Sequence, residues 1–266
     1  MQRFYLREQG LEKSSLSDRF KLGVLGIGRG SGASLIATSL ASALSSVEKK
    51  RLAYIELSCF REKAEAEKRA SGMPSLLYDA LGMDQRFAGR EFISFRRELA
   101  GLRKLRELKN IDEGINWALA TPEDAREGLN LSEAQAIRLA NGIAGDIVIC
   151  DIEALSGYRD LVKDLDLLIA VIDPLPSKLI PAAKELRYLF ELSEEQEIIF
   201  VVNKMNDGVL KRELDSFLKL KSYESLPYIT PEPLYKAEYN CALPYSRREV
   251  REALEPFIKL IVNKVL

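Results

Sequence analysis

The chain has 266 residues, of which 47% are hydrophobic, and 39 basic against 40 acidic side chains leave a formal net charge of -1. This length can bury one large core, and the balanced charge gives no strong sign of binding to nucleic acid or to an anionic membrane surface. Histidine is absent. Its absence excludes Ser-His-Asp triads, Cys-His pairs and histidine-ligated zinc.

The cysteines and the apolar segments bear on where the protein works. Cys59, Cys150 and Cys241 are too widely spaced for a zinc knuckle or a disulfide framework, which fits a reducing compartment. The first twenty residues lack the apolar run of a signal peptide, and no stretch approaches the roughly eighteen uncharged residues of a membrane span. We therefore expect a soluble, cytoplasmic protein.

A glycine-rich turn follows the first predicted strand. Residues 1–19 are charged and aperiodic, so we predict an N-terminal extension there and one domain over residues 20–266. Leu22 to Ile27 is an apolar run typical of a buried strand, and a helix is predicted from about Ser31 to Ser34 onward. Four glycines lie between them or at the strand end, which would let backbone N–H groups and the helix N-terminus surround an anion: Gly26, Gly28, Gly30 and Gly32.

Two phosphate-binding motifs compete for this turn. The P-loop pattern G-x-x-x-x-G-K-[ST] fails, because Ala33 stands at the lysine position and Ile27 at the first glycine. The dinucleotide pattern G-x-G-x-x-[GA] fits Gly28 to Ala33, and Glu56, in the apolar run Arg51–Leu57, lies where a ribose-binding acid is expected. The motifs alone leave a P-loop protein and an NAD(P)-dependent oxidoreductase both open.

The middle of the chain differs from the first part in composition and in predicted structure. Helices are predicted at Ala64–Ala70 and Ser75–Leu81, followed by a cationic stretch from Arg86 to Lys109. That stretch is either a solvated helical face or a docking surface for an acidic partner or nucleic acid.

Strands and helices alternate throughout the chain, which predicts an α/β fold with a mostly parallel central sheet covered by helices on both faces. Asp151 would then lie at the carboxyl end of a strand, the edge where open α/β sheets bind ligands. The predicted strands are Asn116–Leu119, Asp146–Asp151, Leu167–Ile172, Ile198–Val202 and Tyr228–Ile229. The predicted helices run from a Ser132 cap to Asn141, over Lys184–Leu192 and Lys211–Leu220, and through a final stripe from Val250 to Val265.

Over roughly residues 20–260 the order of features resembles the MinD/ParA family of deviant Walker A ATPases, of the SIMIBI class of P-loop proteins, including TadZ-like proteins. The family's loop K-G-G-x-G-K-[ST] falls on residues 28–34 and its I-D-x-D on residues 55–58. Its N-[KR] pair falls on Asn203 and Lys204, and its late adenine-side loop on residues 229–233.

The resemblance implies a three-layer P-loop NTPase-like domain that binds ATP or ADP with Mg²⁺. Carried over by position, the metal residues are Ser34, Asp151 and Glu56. The nucleotide-binding residues are Gly28, Arg29, Gly30, Ser31, Gly32, Ala33, Ser34, Asn203 and Pro231.

The departures from the family pattern fall on the chemistry. Gly28 stands at the position of the family's signature lysine, Ala33 at that of the P-loop lysine, and Ser58 at that of the switch-I aspartate. Each lost transition-state contact is worth about 2.7–4 kcal/mol, so we expect little or no hydrolysis. Arg29 either substitutes as the phosphate cation or points to solvent. Asn206 replaces the acid of a guanine motif N-K-x-D, which favours adenine.

Several functions remain open at this point. The resemblance implies a nucleotide-binding localisation or assembly factor with a degenerate Walker A loop, working with a partner protein of a Tad-type pilus, secretion or cell-positioning system, and forming a homodimer. The alternatives are a nucleotide-free pseudo-ATPase scaffold, the NAD(P)-binding oxidoreductase, and a slow ATPase completed by a residue supplied in trans.

Overall fold

The computed structural model describes residues 19–47, 50–57, 77, 93–94, 115–119, 131–155, 157–240 and 242–266. Most of the predicted N-terminal extension, the helix predicted at 64–70, the cationic stretch 86–109 and Ser58 lie outside these ranges. Of the helix predicted at 75–81, only Leu77 lies within them.

The core of the fold is an eight-stranded sheet in which every pairing is parallel. The strand order is β3-β4-β2-β5-β1-β6-β7-β8, which confirms the predicted parallel α/β architecture. The strands are β1 (Phe20–Ile27), β2 (Leu52–Leu57), β3 (Ile93–Ser94), β4 (Ile115–Leu119), β5 (Ile147–Ile152), β6 (Leu167–Ile172), β7 (Ile198–Met205) and β8 (Glu224–Pro227).

Strand β1 lies near the centre of the sheet, between β5 and β6. Its residue Val24 pairs in register with Asp151 of β5 and Ile169 of β6. All residues of β5 and β6 are buried, which explains their continuous apolar sequence, since helices cover both faces of the sheet. The loop that follows β1 therefore leaves the sheet at the middle of its carboxyl edge.

Helices cover the two faces of the sheet in separate layers. The layer containing α1, α7 and α8 packs on the face of β1 that carries Leu22 and Val24, whereas α2, α3, α5 and α6 pack on the opposite face. The helices are α1 (Ala33–Val47), α2 (Glu133–Gly142), α3 (Arg159–Lys163), α4 (Pro176–Leu179), α5 (Ala183–Leu192), α6 (Lys211–Leu218), α7 (Pro231–Tyr239) and α8 (Arg248–Val265).

The predicted start of α2 is confirmed in detail. Ser132 caps the helix, its hydroxyl accepts from the Gln135 amide, and the Gln135 side chain bonds back to the Ser132 N–H, which completes a capping box. None of the helices in the described part of the chain is long and apolar enough to cross a membrane.

The last strand differs from the prediction. It spans Glu224–Pro227 instead of Tyr228–Ile229, because this edge strand buries only Leu226 and so has no apolar run to reveal it. The Tyr228 N–H still donates to the Met205 carbonyl at 2.8 Å, just beyond the strand. Helix α6 ends at Leu218 and not at Leu220, because Lys219 adopts a left-handed φ of 52°.

Candidate functional site

The loop after β1 has the backbone of an anion cradle. Gly28, Gly30 and Gly32 have φ values of +80°, +76° and +95°, a region that glycine alone enters without steric cost. A Cβ at Gly28 or Gly30 would meet nothing within 4 Å, so the backbone conformation, not crowding, requires glycine there. Left-handed residues in alternation turn successive N–H groups toward a common centre.

Helix α1 begins directly after this loop. The Ile36 N–H donates to the Gly32 carbonyl at 3.1 Å, and the first turn contains no acidic residue. The N–H groups of this first turn and the positive end of the helix dipole therefore face the loop, and the turn itself contributes no carboxylate. A phosphate group fits this arrangement.

Two buried carboxylates lie near the carboxyl ends of the neighbouring strands β2 and β5. Glu56 of β2 and Asp151 of β5 are paired in register, and they are 5% and 4% exposed. The Tyr54 hydroxyl donates to Asp151 Oδ2 at 2.8 Å, and the Ser34 side chain also hydrogen-bonds to Asp151. Burial raises the pKa of Asp151 to about 6, and the bonds from Ser34 and Tyr54 oppose that rise. Glu56 Oε1 accepts from the Leu77 N–H at 3.0 Å.

The three predicted metal residues thus lie together. Mg²⁺ prefers oxygen ligands and uses one or two carboxylates together with phosphate oxygens and water, so Ser34, Asp151 and Glu56 fit a nucleotide-bound Mg²⁺. Among the described residues, no group of three or more His, Cys, Asp or Glu side chains could hold a metal ion. A Mg²⁺ ion here would therefore also need phosphate or water oxygens as ligands. Tyr54 was missed by the sequence reasoning, because it reads as one more apolar residue of a strand.

On the other side of the loop, the end of β7 contacts the loop carbonyls. The Asn203 side-chain amide donates to the Ser31 carbonyl at 2.8 Å. The Lys204 ammonium donates to the Gly30 carbonyl and forms an ion pair with Asp173 at 2.6 Å. Sequence reasoning matched Asn203 and Lys204 to the family's N-[KR] pair but put only Asn203 among the binding residues, and it gave no role to Asp173; the Asp-Pro pair at the end of its strand was the available signal.

Two other predicted residues have specific positions. The Arg29 Nε lies 3.3 Å from Glu153 Oε1, so its guanidinium is turned toward the loop that follows β5 while remaining more than half exposed. Pro231 is the first residue of α7, on the β8 side of the sheet. Asn206 uses its amide within its own turn, accepting from the Gly208 N–H and donating to the Lys204 carbonyl, both at 2.9 Å.

The sheet order contradicts the dinucleotide-binding interpretation. In a Rossmann sheet of order 3-2-1-4-5-6, the strand carrying the ribose-binding acid lies next to the first strand. Here β5 lies between β1 and β2, which places Glu56 two strands from the glycine loop. At a strand spacing of roughly 4.8 Å, that is about twice the distance the Rossmann arrangement provides.

No protein-family model and no curated protein matches this sequence. Solved structures do share its fold. A ParA family ATPase from Chlorobium tepidum TLS superposes with a TM-score of 0.61 and 14% identity, over 91% of this chain and 98% of that one.

Two MinD structures are similar to the same degree. MinD complexed with Mg-ADP from Pyrococcus horikoshii OT3 has a TM-score of 0.63 and 14% identity, over 91% of this chain and 95% of that one. The MinC:MinD cell division complex from Aquifex aeolicus gives 0.62 and 14%, over 92% of this chain and 96% of that one. The chain therefore has the fold of MinD and ParA ATPases, as the sequence resemblance predicted.

Proposed function

We propose that this chain, built on the MinD/ParA fold, binds ATP or ADP with Mg²⁺ at its glycine loop and turns ATP over slowly or not at all. The observation that carries the proposal is the loop itself: three left-handed glycines lead into an acid-free helix N-terminus beside buried Asp151. The solved relative from Pyrococcus horikoshii holds Mg-ADP.

The proposed division of labour follows the geometry. The amides of residues 28–34 hold the phosphates, and Ser34, Asp151 and Glu56 surround Mg²⁺ directly or through water. Pro231 and the end of β7, including Asn203, lie on the proposed nucleobase side. Adenine is favoured over guanine because the Asn206 amide is engaged within its own turn and is not an acid.

Weak hydrolysis follows from what the loop lacks. Ala33 stands where a lysine would stabilise the transferring phosphoryl group, and Ser58 where an aspartate would orient water. Arg29 is the cation of the loop itself, and its ion pair with Glu153 shows that its guanidinium can reach a carboxylate beside the cradle.

The proposed output is a nucleotide-dependent shape that a partner protein recognises, through a homodimer or through this chain alone. A relative with the same fold is complexed with MinC. By the TadZ-like resemblance, we propose a role in localisation or assembly of a pilus, secretion or cell-positioning system.

The alternative of a nucleotide-free scaffold requires the cradle to be filled by the protein. Ile27 is buried in β1, Arg29 is turned toward Glu153, and the space beside Gly28 and Gly30 is open among the described residues. These positions favour a loop that receives a ligand.

Isothermal titration calorimetry with ATP, ADP and NAD⁺, each with and without Mg²⁺, tests the proposal. We expect Mg²⁺-dependent binding of ATP and ADP and none of NAD⁺, with light scattering of the same samples reporting any change in mass. An absence of heat with every nucleotide would reject nucleotide binding and leave the scaffold.

A further inference from the structure

Two adjacent residues at the end of β7 hold two consecutive carbonyls of the glycine loop. Asn203 Nδ2 donates to the Ser31 carbonyl at 2.8 Å, and Lys204 Nζ donates to the Gly30 carbonyl. Asn203 is only 4% exposed, so its bond is shielded from water. A Cβ at Gly32 would lie 2.3 Å from the same Asn203 nitrogen, which shows how closely the loop packs on this amide.

Because the peptide unit is planar, the direction of a loop carbonyl also fixes the direction of the N–H group that follows it. In a planar trans peptide, the carbonyl of one residue and the N–H of the next point in opposite directions. The described part of the chain contains no cis peptide bond. With the carbonyls of Gly30 and Ser31 directed at β7, the N–H groups of Ser31 and Gly32 therefore point away from β7.

The backbone at Lys204 is shaped for this contact. Lys204 has a left-handed φ of 61°, and the pairing of β7 with β8 shifts register between Val202 and Met205. Lys219 shares this conformation, but there it simply ends a helix. A left-handed φ costs a non-glycine residue free energy, and at Lys204 the contacts with the loop and with Asp173 offset that cost.

The neighbouring contacts keep Lys204 and Asn203 in place. Asp173, buried at the end of β6, pairs with the Lys204 ammonium at 2.6 Å and accepts from the Leu175 N–H at 3.1 Å. Asn203 Oδ1 accepts from the Lys204 N–H at 2.9 Å. The nitrogen and the oxygen of the Asn203 amide thus each make a hydrogen bond within the protein.

We propose that Asn203 and Lys204 are positioning residues, which hold the loop carbonyls so that the Ser31 and Gly32 amides face the nucleotide phosphates. Asn203 then acts through the loop instead of contacting the nucleobase, the role its sequence position suggested. The inference rests on the proposed function, because it takes the phosphates as the ligand of the cradle.

Comparison of ATP with inorganic tripolyphosphate, which has no base, separates the two roles. In calorimetry on the full chain, Asn203→Ala should weaken the binding of both ligands by the same factor, about fivefold or more, which is the effect of losing one buried hydrogen bond. The substitution is neutral, so the loss cannot come from charge. Weaker ATP binding with unchanged tripolyphosphate binding would assign Asn203 to the base and overturn the inference.

Lys204→Gln and Lys219→Gln form a matched pair, since each removes one positive charge from a lysine with left-handed φ. Lys204→Gln should weaken the binding of both ligands, whereas Lys219→Gln should leave both unchanged. Equal effects of the two variants would overturn the role of Lys204. If Asn203→Ala fails to fold, as judged by circular dichroism, the two lysine variants still test whether the end of β7 positions the loop.

A structural readout accompanies the affinities. Tripolyphosphate should shift the amide resonances of Ser31 and Gly32 in the wild-type protein, and the shifts should be reduced in Asn203→Ala. Wild-type binding of tripolyphosphate without tighter ATP binding would reject the adenine-nucleotide function while leaving the inference intact. Binding of neither ligand by the wild type would reject both.

Discussion

Strand β5 has an aspartate at each end of its buried run, and the pKa values of these two aspartates are shifted in opposite directions. Asp146, before the strand, accepts from the Arg51 backbone N–H and guanidinium, both at 3.0 Å, and these bonds lower its pKa. Asp151, five residues on, is buried beside hydroxyl donors, and burial raises its pKa to about 6.

The surroundings of the two aspartates extend this contrast. At the amino edge of the sheet, Lys21 pairs with Asp164 at 2.7 Å and its backbone N–H donates to Asp166. At the carboxyl edge, Asp151 and Glu56 are neighbours in register and both are buried. One end of the strand joins opposite charges and supports the fold; the other places two carboxyl groups side by side in the interior, at a cost that a bound cation would offset.

Asp151→Asn should produce the largest effect in this comparison. The folded-state pKa of about 6 lies above the ordinary 3.8, so the carboxylate destabilises the fold increasingly as pH rises through that window. The variant should gain on the order of 3 kcal/mol in free energy of unfolding at pH 8, and about half of that at pH 5, while losing Mg²⁺-dependent ATP binding. Urea denaturation and calorimetry measure these; an equal gain at both pH values would contradict the assigned pKa.

Arg29→Gln and Glu153→Gln test whether the ion pair at the carboxyl edge serves binding. Removing the guanidinium should weaken ATP binding about tenfold, as expected for a charge-assisted phosphate contact. Glu153→Gln should strengthen ATP binding a few-fold, because the guanidinium is then released toward the phosphates. Titration calorimetry reads both; unchanged affinity in Arg29→Gln would mean that this side chain never leaves Glu153 or solvent.

Tyr54→Phe removes a donor to Asp151 without changing the shape of the core. We expect a loss of about 1 kcal/mol in free energy of unfolding, and a further rise in the pKa of Asp151, since the bond from Tyr54 lowers it. Mg²⁺-dependent ATP binding should then require a higher pH than in the wild type. A binding profile against pH that does not move would show that the hydroxyl has no influence on Asp151.

Asp146→Asn should have the smallest effect. Its exposed pair with Arg51 contributes below about 1 kcal/mol, and this stabilisation is present above the ordinary pKa of 3.8 and is lost as pH falls through the lowered value. Nucleotide binding should be unchanged. Urea denaturation of the two variants Asp146→Asn and Arg51→Gln measures the loss of stability. A change in ATP affinity in either variant would show that the amino edge of the sheet also contributes to nucleotide binding.

Sequence reasoning located the strands at the centre of the sheet because a short, continuous apolar run is typical of a strand buried on both faces. Leu167–Ile172 was placed without error, and the strand ending in Asp151 within one residue. The edge strand β8 was misplaced because only one of its residues is buried.

The site was predictable where it is local in sequence and not where the fold assembles it. The glycine loop and Asp151 are visible from composition and from position along the chain. Lys204 contacts Gly30, which is 174 residues away in the sequence, and Asp173, which is 31 residues away. Hydrophobic periodicity does not predict contacts between residues so far apart in the sequence. Tyr54 was hidden for another reason: a tyrosine in an apolar run gives no sign of where its hydroxyl points.

The contact between Tyr54 and β4 has a practical consequence. Trp117 is the sole tryptophan of the chain, it is 2% exposed, and its ring centroid lies 4.9 Å from that of Tyr54, whose hydroxyl bonds Asp151. Its intrinsic fluorescence therefore arises from one environment, one side chain removed from the carboxylate that we assign to Mg²⁺. The protein carries its own optical probe of that carboxylate, with no label to attach and no second tryptophan to subtract.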